Sequence, residues 1–344
     1  MLSDRELTAF EYLVGLGKYW SDKFDCLKFD SKSNDDVVNE ISFEIIDACI
    51  NNTNSLPNLD KILFEYNVNK LQRRIEEAIE FVAKSIAVVS NFKGNNRKFK
   101  VLHSKYQIVS LISYTFREMY NIENLDSKKS TWDTNSSRLA SIILQYYVAD
   151  ILSNEWHDGG GNKVYTALNE KRYSDFITKQ RWESLLDNYY QTQLASKQSE
   201  RFSNPTNADS IILNCVYSNQ FTANDQLSNK AFDIEHLATK EKMKELLKIF
   251  NDLKLPVSCI ANLCYLPEDI NRGKKDKTIY EATNLSLPID IIEEKFSFTK
   301  KNDFEWLYYP YEESDSSSLE EFYFKYLNDR YEKIKSKFLN MFGY

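Results

Sequence analysis

Between Pro57 and Pro205 the chain contains no proline, and nothing else in it restricts the fold as strongly. A proline inside a helix removes a backbone hydrogen bond and clashes with the preceding turn. A stretch of this length without one is free to form long helices. Glycine is equally sparse, with 8 Gly and 6 Pro in 344 residues. Sandwiches, barrels and glycine-rich dinucleotide-binding folds need many tight turns, which such a chain is poorly supplied to make.

Apolar spacing agrees with helix. Ser3 and Glu6 have the spacing of a capping box, followed by Leu7, Phe10, Leu13 and Val14. Amphipathic stretches are predicted over 35–50, from Pro57 to about Val89, over 103–120, over 137–152 and from Ser316 onward. The polar segments SKSNDD and DSKKSTWDTNSS read as connectors. The polar run from Ala195 around Pro205 divides the sequence into a helical body, 1–204, and a second part, 205–344.

A net charge of −7 excludes a strongly basic nucleic-acid coat but not a local basic patch. No apolar run reaches the roughly 20 residues needed to cross a bilayer. The charges of MLSDRELTAFEYL make it a poor signal peptide, so a cytoplasmic protein without membrane partners is expected. Five scattered cysteines do not suggest a disulfide framework. Cys215, Cys259 and Cys264 lack the close pair spacing of zinc sites and have no nearby histidine, so buried thiols are expected.

Three histidines remain to be placed. His103 is expected at a surface or helix cap. His157 precedes Gly159, Gly160 and Gly161, a triplet that could cradle phosphate but reads more simply as a helix terminator and loop. His236 stands in AFDIEHLATKEKM, where Ala231 to Glu235 alternates as a short strand does. On an extended segment Asp233 and Glu235 share one face. Glu235 beside His236 offers a hard oxygen ligand next to a titratable base. Asn262 follows 26 residues later and Asn271 a further 9, within ANLCYLPEDINRGKKDK.

DIEHL followed by ANLCYLPEDINRGKKDK resembles the HNH nucleases, the His-Me finger class. It is similar to the HNH module of RNA-guided CRISPR effector nucleases. It is also similar to the C-terminal HNH domain of GmrSD-type modification-dependent restriction enzymes. The resemblance covers about residues 230–282, and extends more weakly back to GGGNKVY. It implies a mainly α (α+β) protein: a helical body with a small ββα-metal finger embedded among helices. It implies a metal-dependent endonuclease acting on DNA with Mg²⁺ or Mn²⁺, in restriction or antiviral defence. His236 would be the general base, and Asn262 would hold the loop that orients it. Glu235 and Asn271, at the start of the finger helix, would be metal ligands, with Asp233 in support or as a substitute. Arg272, Lys274, Lys275 and Lys277, against the single acid Asp276, would meet the nucleic acid. A second basic run, Phe92 to Lys100, could track a nucleic-acid backbone but reads first as a solvated loop. The Asp-Gly-Gln-Gln-Arg signature of the NTPase-like domain in GmrSD-type enzymes does not occur here, so the resemblance leaves three readings: a split subunit with an NTPase-like partner, a C-terminal fragment, or a reduced relative. A nucleic-acid-binding or partner-dependent subunit with an inactive finger is the alternative.

Overall fold

In the computed structural model the described residues are 8–29, 34–51, 67–90, 101, 103–158, 160–196, 202–218, 232–250 and 252–344. Elements are numbered within these. They are mainly helical, with one two-stranded sheet. Ser3, Glu6, residues 52–66, Gly159, Ala231 and the basic run at 92–100 lie outside them. Two compact units are drawn from Met1–Val88 with Leu102–Ile177, and from Val89–Val101 with Thr178–Tyr344.

The first unit is helical. α1, Ala9–Lys23, opens on Thr8, whose side chain and that of Glu11 form a reciprocal capping box. α2, Asn34–Ile50, packs against α1 closely enough that a Cβ on Gly17 would lie 2.3 Å from the Val38 carbonyl oxygen. Glycine is therefore required by that approach. α3, Val68–Ser90, buries Leu71, Ile75, Ala78, Ile79, Val82 and Ile86, the stripe expected from their spacing. α4, Lys105–Met119, buries Ile108, Val109, Leu111, Ile112 and Phe116.

α5, Trp132–Leu152, starts inside the segment read as a connector. Its buried Trp132 sits edge-on to Phe81 with ring centroids 4.9 Å apart, and that contact outweighs the weak helix preference of the Asp, Thr, Asn and Ser residues that follow. Gly160 caps the start of α6, Gly161–Asn169, so the glycines begin a helix rather than end one. His103 is not a surface or cap residue. Its Nδ1 lies 3.1 Å from Tyr147 Oη and its Nε2 lies 2.8 Å from the Cys26 carbonyl oxygen. His157 is exposed and pairs with Asp158.

The larger segment of the second unit starts at Thr178, before the polar run around Pro205. It holds α7 (Lys179–Ser196), α8 (Asn207–Tyr217), β1 (Phe232–His236), α9 (Lys240–Ile249), β2 (Leu263–Pro267), α10 (Glu268–Lys274), α11 (Ile289–Ile292) and α12 (Ser316–Met341). α12 lays Leu319, Tyr323, Leu327, Tyr331, Ile334 and Phe338 into the core. Tyr331 stacks on Tyr190 of α7 with centroids 4.0 Å apart. β2 is buried along its whole length, and its Tyr265 donates to Asn214 Oδ1 of α8 at 2.7 Å.

All five cysteines are buried thiols outside any disulfide. Burial pushes the Cys264 thiol up to about 12, so it remains protonated. No helix among the described residues is long and apolar enough to cross a membrane.

Candidate functional site

β1 and β2 pair antiparallel, with Phe232 opposite Pro267, Glu235 opposite Cys264 and His236 opposite Leu263. Pro267 closes β2, and its fixed φ leads directly into α10. Glu268 and Asp269 occupy the first turn of that helix, where negative charge is favoured. The polypeptide therefore runs strand, helix, strand, helix, and α10 packs against both strands.

Asp233 and Glu235 are two apart on a strand and share a face. Asn271 and Lys274 are three apart on a helix and share a face. The structure brings these faces together. Asn271 Nδ2 donates to Asp233 Oδ2 at 3.2 Å, and Lys274 Nζ donates to Glu235 Oε1 at 2.9 Å. Asn271 is the fourth residue of α10, not a residue at its start.

Lys274 departs from the sequence reading. Its side chain is 2% exposed, so it is withdrawn from any nucleic acid and neutralises Glu235, whose own side chain is 21% exposed. Lys275 and Lys277 are exposed. Arg272 is exposed too, and forms an ion pair with Glu268 one turn earlier. An exposed pair of this kind contributes little and leaves the guanidinium able to exchange partners.

His236 ends β1 and is 5% exposed. Its Nε2 lies 3.1 Å from Ser258 Oγ. If Nε2 carries the proton and donates to Ser258, the lone pair is left on Nδ1. Sequence reasoning missed Ser258, which lies 22 residues from His236 and carries no spacing signal.

Asn262 is fully buried and clamps the chain just beyond His236. Its Oδ1 accepts from the Ala238 backbone N–H at 2.9 Å, and its Nδ2 donates to the Ala238 carbonyl at 3.0 Å and the Val257 carbonyl at 2.9 Å. Its own carbonyl accepts from the Leu237 N–H at 2.9 Å. Tyr326 of α12 donates to the same Oδ1 at 3.2 Å. These bonds fix Leu237 and Ala238, and through them the end of β1. Thr239 then caps α9 and donates to the Asp276 carbonyl, tying this turn to the loop after α10.

Among the described residues no group of three His, Cys, Asp or Glu is placed to hold a metal ion. The set expected from sequence has only two carboxylates and completes itself with an amide. An oxygen pair would arise only if the Asn271 amide, whose Nδ2 donates to Asp233, were turned over. Two adjacent ligands of an octahedral Mg²⁺, at about 2.1 Å from the ion, stand roughly 3 Å apart. Asp233 Oδ2 and the Asn271 amide are 3.2 Å apart, and turning that amide over presents oxygen to oxygen. Glu235, on the same strand face as Asp233, is engaged by Lys274 through Oε1. Comparison with protein-family models, curated proteins and solved structures finds no match to this chain.

Proposed function

We propose that the second unit is a metal-dependent endonuclease of the HNH type, hydrolysing phosphodiester bonds in DNA. The observation that carries the reading is the convergence of Asp233 and Glu235 on Asn271 and Lys274, beside a His236 whose following loop is clamped by Asn262. The ββα form, the choice of DNA and a role in restriction or antiviral defence rest on the sequence resemblance.

In this reading Asp233 and Asn271 hold Mg²⁺ or Mn²⁺, with Glu235 recruited when Lys274 moves aside. The ion would supply positive charge to the scissile phosphate and the leaving oxygen. His236 takes the proton of the attacking water, with its ring oriented by Ser258. Consecutive residues of a strand point to opposite faces, so a phosphate that meets both Glu235 and His236 must reach the end of β1, where His236 is only 5% exposed.

Asn271 gives the experiment that tests the ligand set. Calorimetric titration of Mn²⁺ should show that Asn271→Ala weakens metal binding by tenfold or more. Asn271→His should retain part of it, since imidazole suits Mn²⁺ better than Mg²⁺. Equal affinity in Asn271→Ala and the parent would remove Asn271 from the ligands.

Exposure separates the lysines. Replacing Lys275 and Lys277 by Gln should flatten the dependence of log K on log salt by about 0.9 for each phosphate no longer neutralised. Lys274→Gln should instead leave that slope alone and destabilise the fold, because Glu235 loses its partner. The reverse pattern in filter-binding and urea-unfolding measurements would contradict these assignments.

One observation favours a second reading, a DNA-binding or partner-dependent subunit without cleavage of its own. The Lys274 ammonium already occupies Glu235, which is how a finger that has given up its metal would be neutralised.

A further inference from the structure

The loop that leaves α10 carries a lysine in a backbone conformation that favours glycine. Lys275 has φ 53° and ψ −129°, and the Lys277 N–H donates to the Lys274 carbonyl at 3.1 Å. These values are close to a type II′ turn with Lys275 at its first central position, where glycine is preferred. A side chain there strains the backbone, and such strain clusters at functional sites. Glycine would fill the turn with less strain, so the lysine is retained for its ammonium. Lys275 and Lys277 are both exposed, and among the described residues neither enters an ion pair.

The next residue ties this loop to an exposed aromatic ring. Thr278 Oγ1 accepts from the Tyr308 hydroxyl at 2.7 Å and donates to Glu281 Oε2 at 3.2 Å. The charge of Glu281 is compensated by Lys242 at 3.1 Å, whose ammonium lies 5.9 Å from the centre of the Tyr308 ring. Tyr308 is thus held by its hydroxyl, yet 44% of it is exposed. Thr278 is three residues from Lys275, a span of at most about 11 Å. The bond from Thr239 to the Asp276 carbonyl joins the same loop to the turn that follows His236. Two ammoniums without partners and one anchored, exposed ring therefore share the loop beside the end of β1. The ammoniums suit phosphates, and the ring suits a nucleobase. In a paired duplex the base faces are stacked on one another, so only an unpaired base can use that ring.

We propose that Lys275, Lys277 and Tyr308 form a track for an unpaired DNA strand, with the ammoniums on its phosphates and the Tyr308 ring against a base. The choice of DNA rests on the nuclease reading, and the track narrows that substrate to single-stranded or locally opened DNA. A duplex must open a pair to reach the ring, which weakens its binding.

Fluorescence anisotropy of the full chain with a labelled single-stranded oligonucleotide, and with the same strand in a duplex, tests the track. Both titrations are run in EDTA, so that binding is read without cleavage. The single strand should bind at least about tenfold more tightly than the duplex. Tyr308→Leu should weaken the single strand about tenfold, with the duplex affinity and the salt dependence unchanged, whereas Tyr308→Phe, which keeps the ring, should bind as the parent does. Lys275→Gly separates binding from folding. Its urea-unfolding midpoint should be at or above that of the parent, because glycine accepts this φ. Its single-strand affinity should nevertheless fall, with a dependence of log K on log salt flatter by about 0.7. A duplex bound as tightly as the single strand, parent-like affinity in Tyr308→Leu, or a parent-like salt slope in Lys275→Gly would overturn the track. Failure of plasmid conversion in Mg²⁺ with these binding results intact would instead count against cleavage.

Discussion

Replacing His236 by alanine is expected to slow DNA cleavage by about 10²–10⁴-fold, the usual contribution of a general base. The proposed reading gives neither of the other two imidazoles a part in the chemistry. His103 has both ring nitrogens engaged, with Tyr147 and the Cys26 carbonyl, and His157 is paired with Asp158. The substitution removes the hydrogen bond with Ser258 but leaves the sheet pairing and the Asn262 clamp untouched. Far-ultraviolet circular dichroism should therefore match the parent while single-turnover cleavage of an end-labelled duplex collapses. A folded variant that cuts at the parent rate would remove His236 from the chemistry.

Asn262→Ala is expected to destabilise the protein by about 3 kcal/mol, because it strands the Ala238 N–H and the Ala238 and Val257 carbonyls in a buried setting. The sequence reading gave Asn262 only a loop-positioning role, measurable in turnover. Its full burial and its bond with Tyr326 make it a structural residue as well. Cleavage should fall along with stability, whereas Mn²⁺ affinity measured well below the unfolding midpoint should stay close to that of the parent. Urea unfolding monitored by tryptophan fluorescence gives the first quantity and calorimetry the second. An unfolding midpoint unchanged from the parent would show that the clamp carries no energy.

Much of the second unit was legible because two periods dominate its sequence. Repeats at three and four mark α12 from Leu319 to Phe338, and alternation marks β1 beside the apolar run of β2. The same periods contain the correction to Lys274. Placing Asn271 and Lys274 on one helical face, and Asp233 with Glu235 on one strand face, already pairs them two by two. Reading residues 271–277 as a single basic run ignores that phase.

What local spacing cannot supply is long-range contact. Ser258 against His236, Tyr326 against Asn262 and Arg330 against Ala261 join residues 22, 64 and 69 apart. The early start of α5 has the same origin, since Trp132 is held by Phe81 on another helix. His103 was misplaced because a lone imidazole near a helix start gives no sign of the distant hydroxyl and carbonyl that bind it.

Conversion of supercoiled plasmid by the purified chain, in Mg²⁺ and in EDTA, tests the nuclease proposal most directly. The proposal predicts nicked and then linear DNA in Mg²⁺ or Mn²⁺, and none in EDTA. Supercoiled DNA that persists in both metals, or conversion that proceeds equally in EDTA, would contradict it.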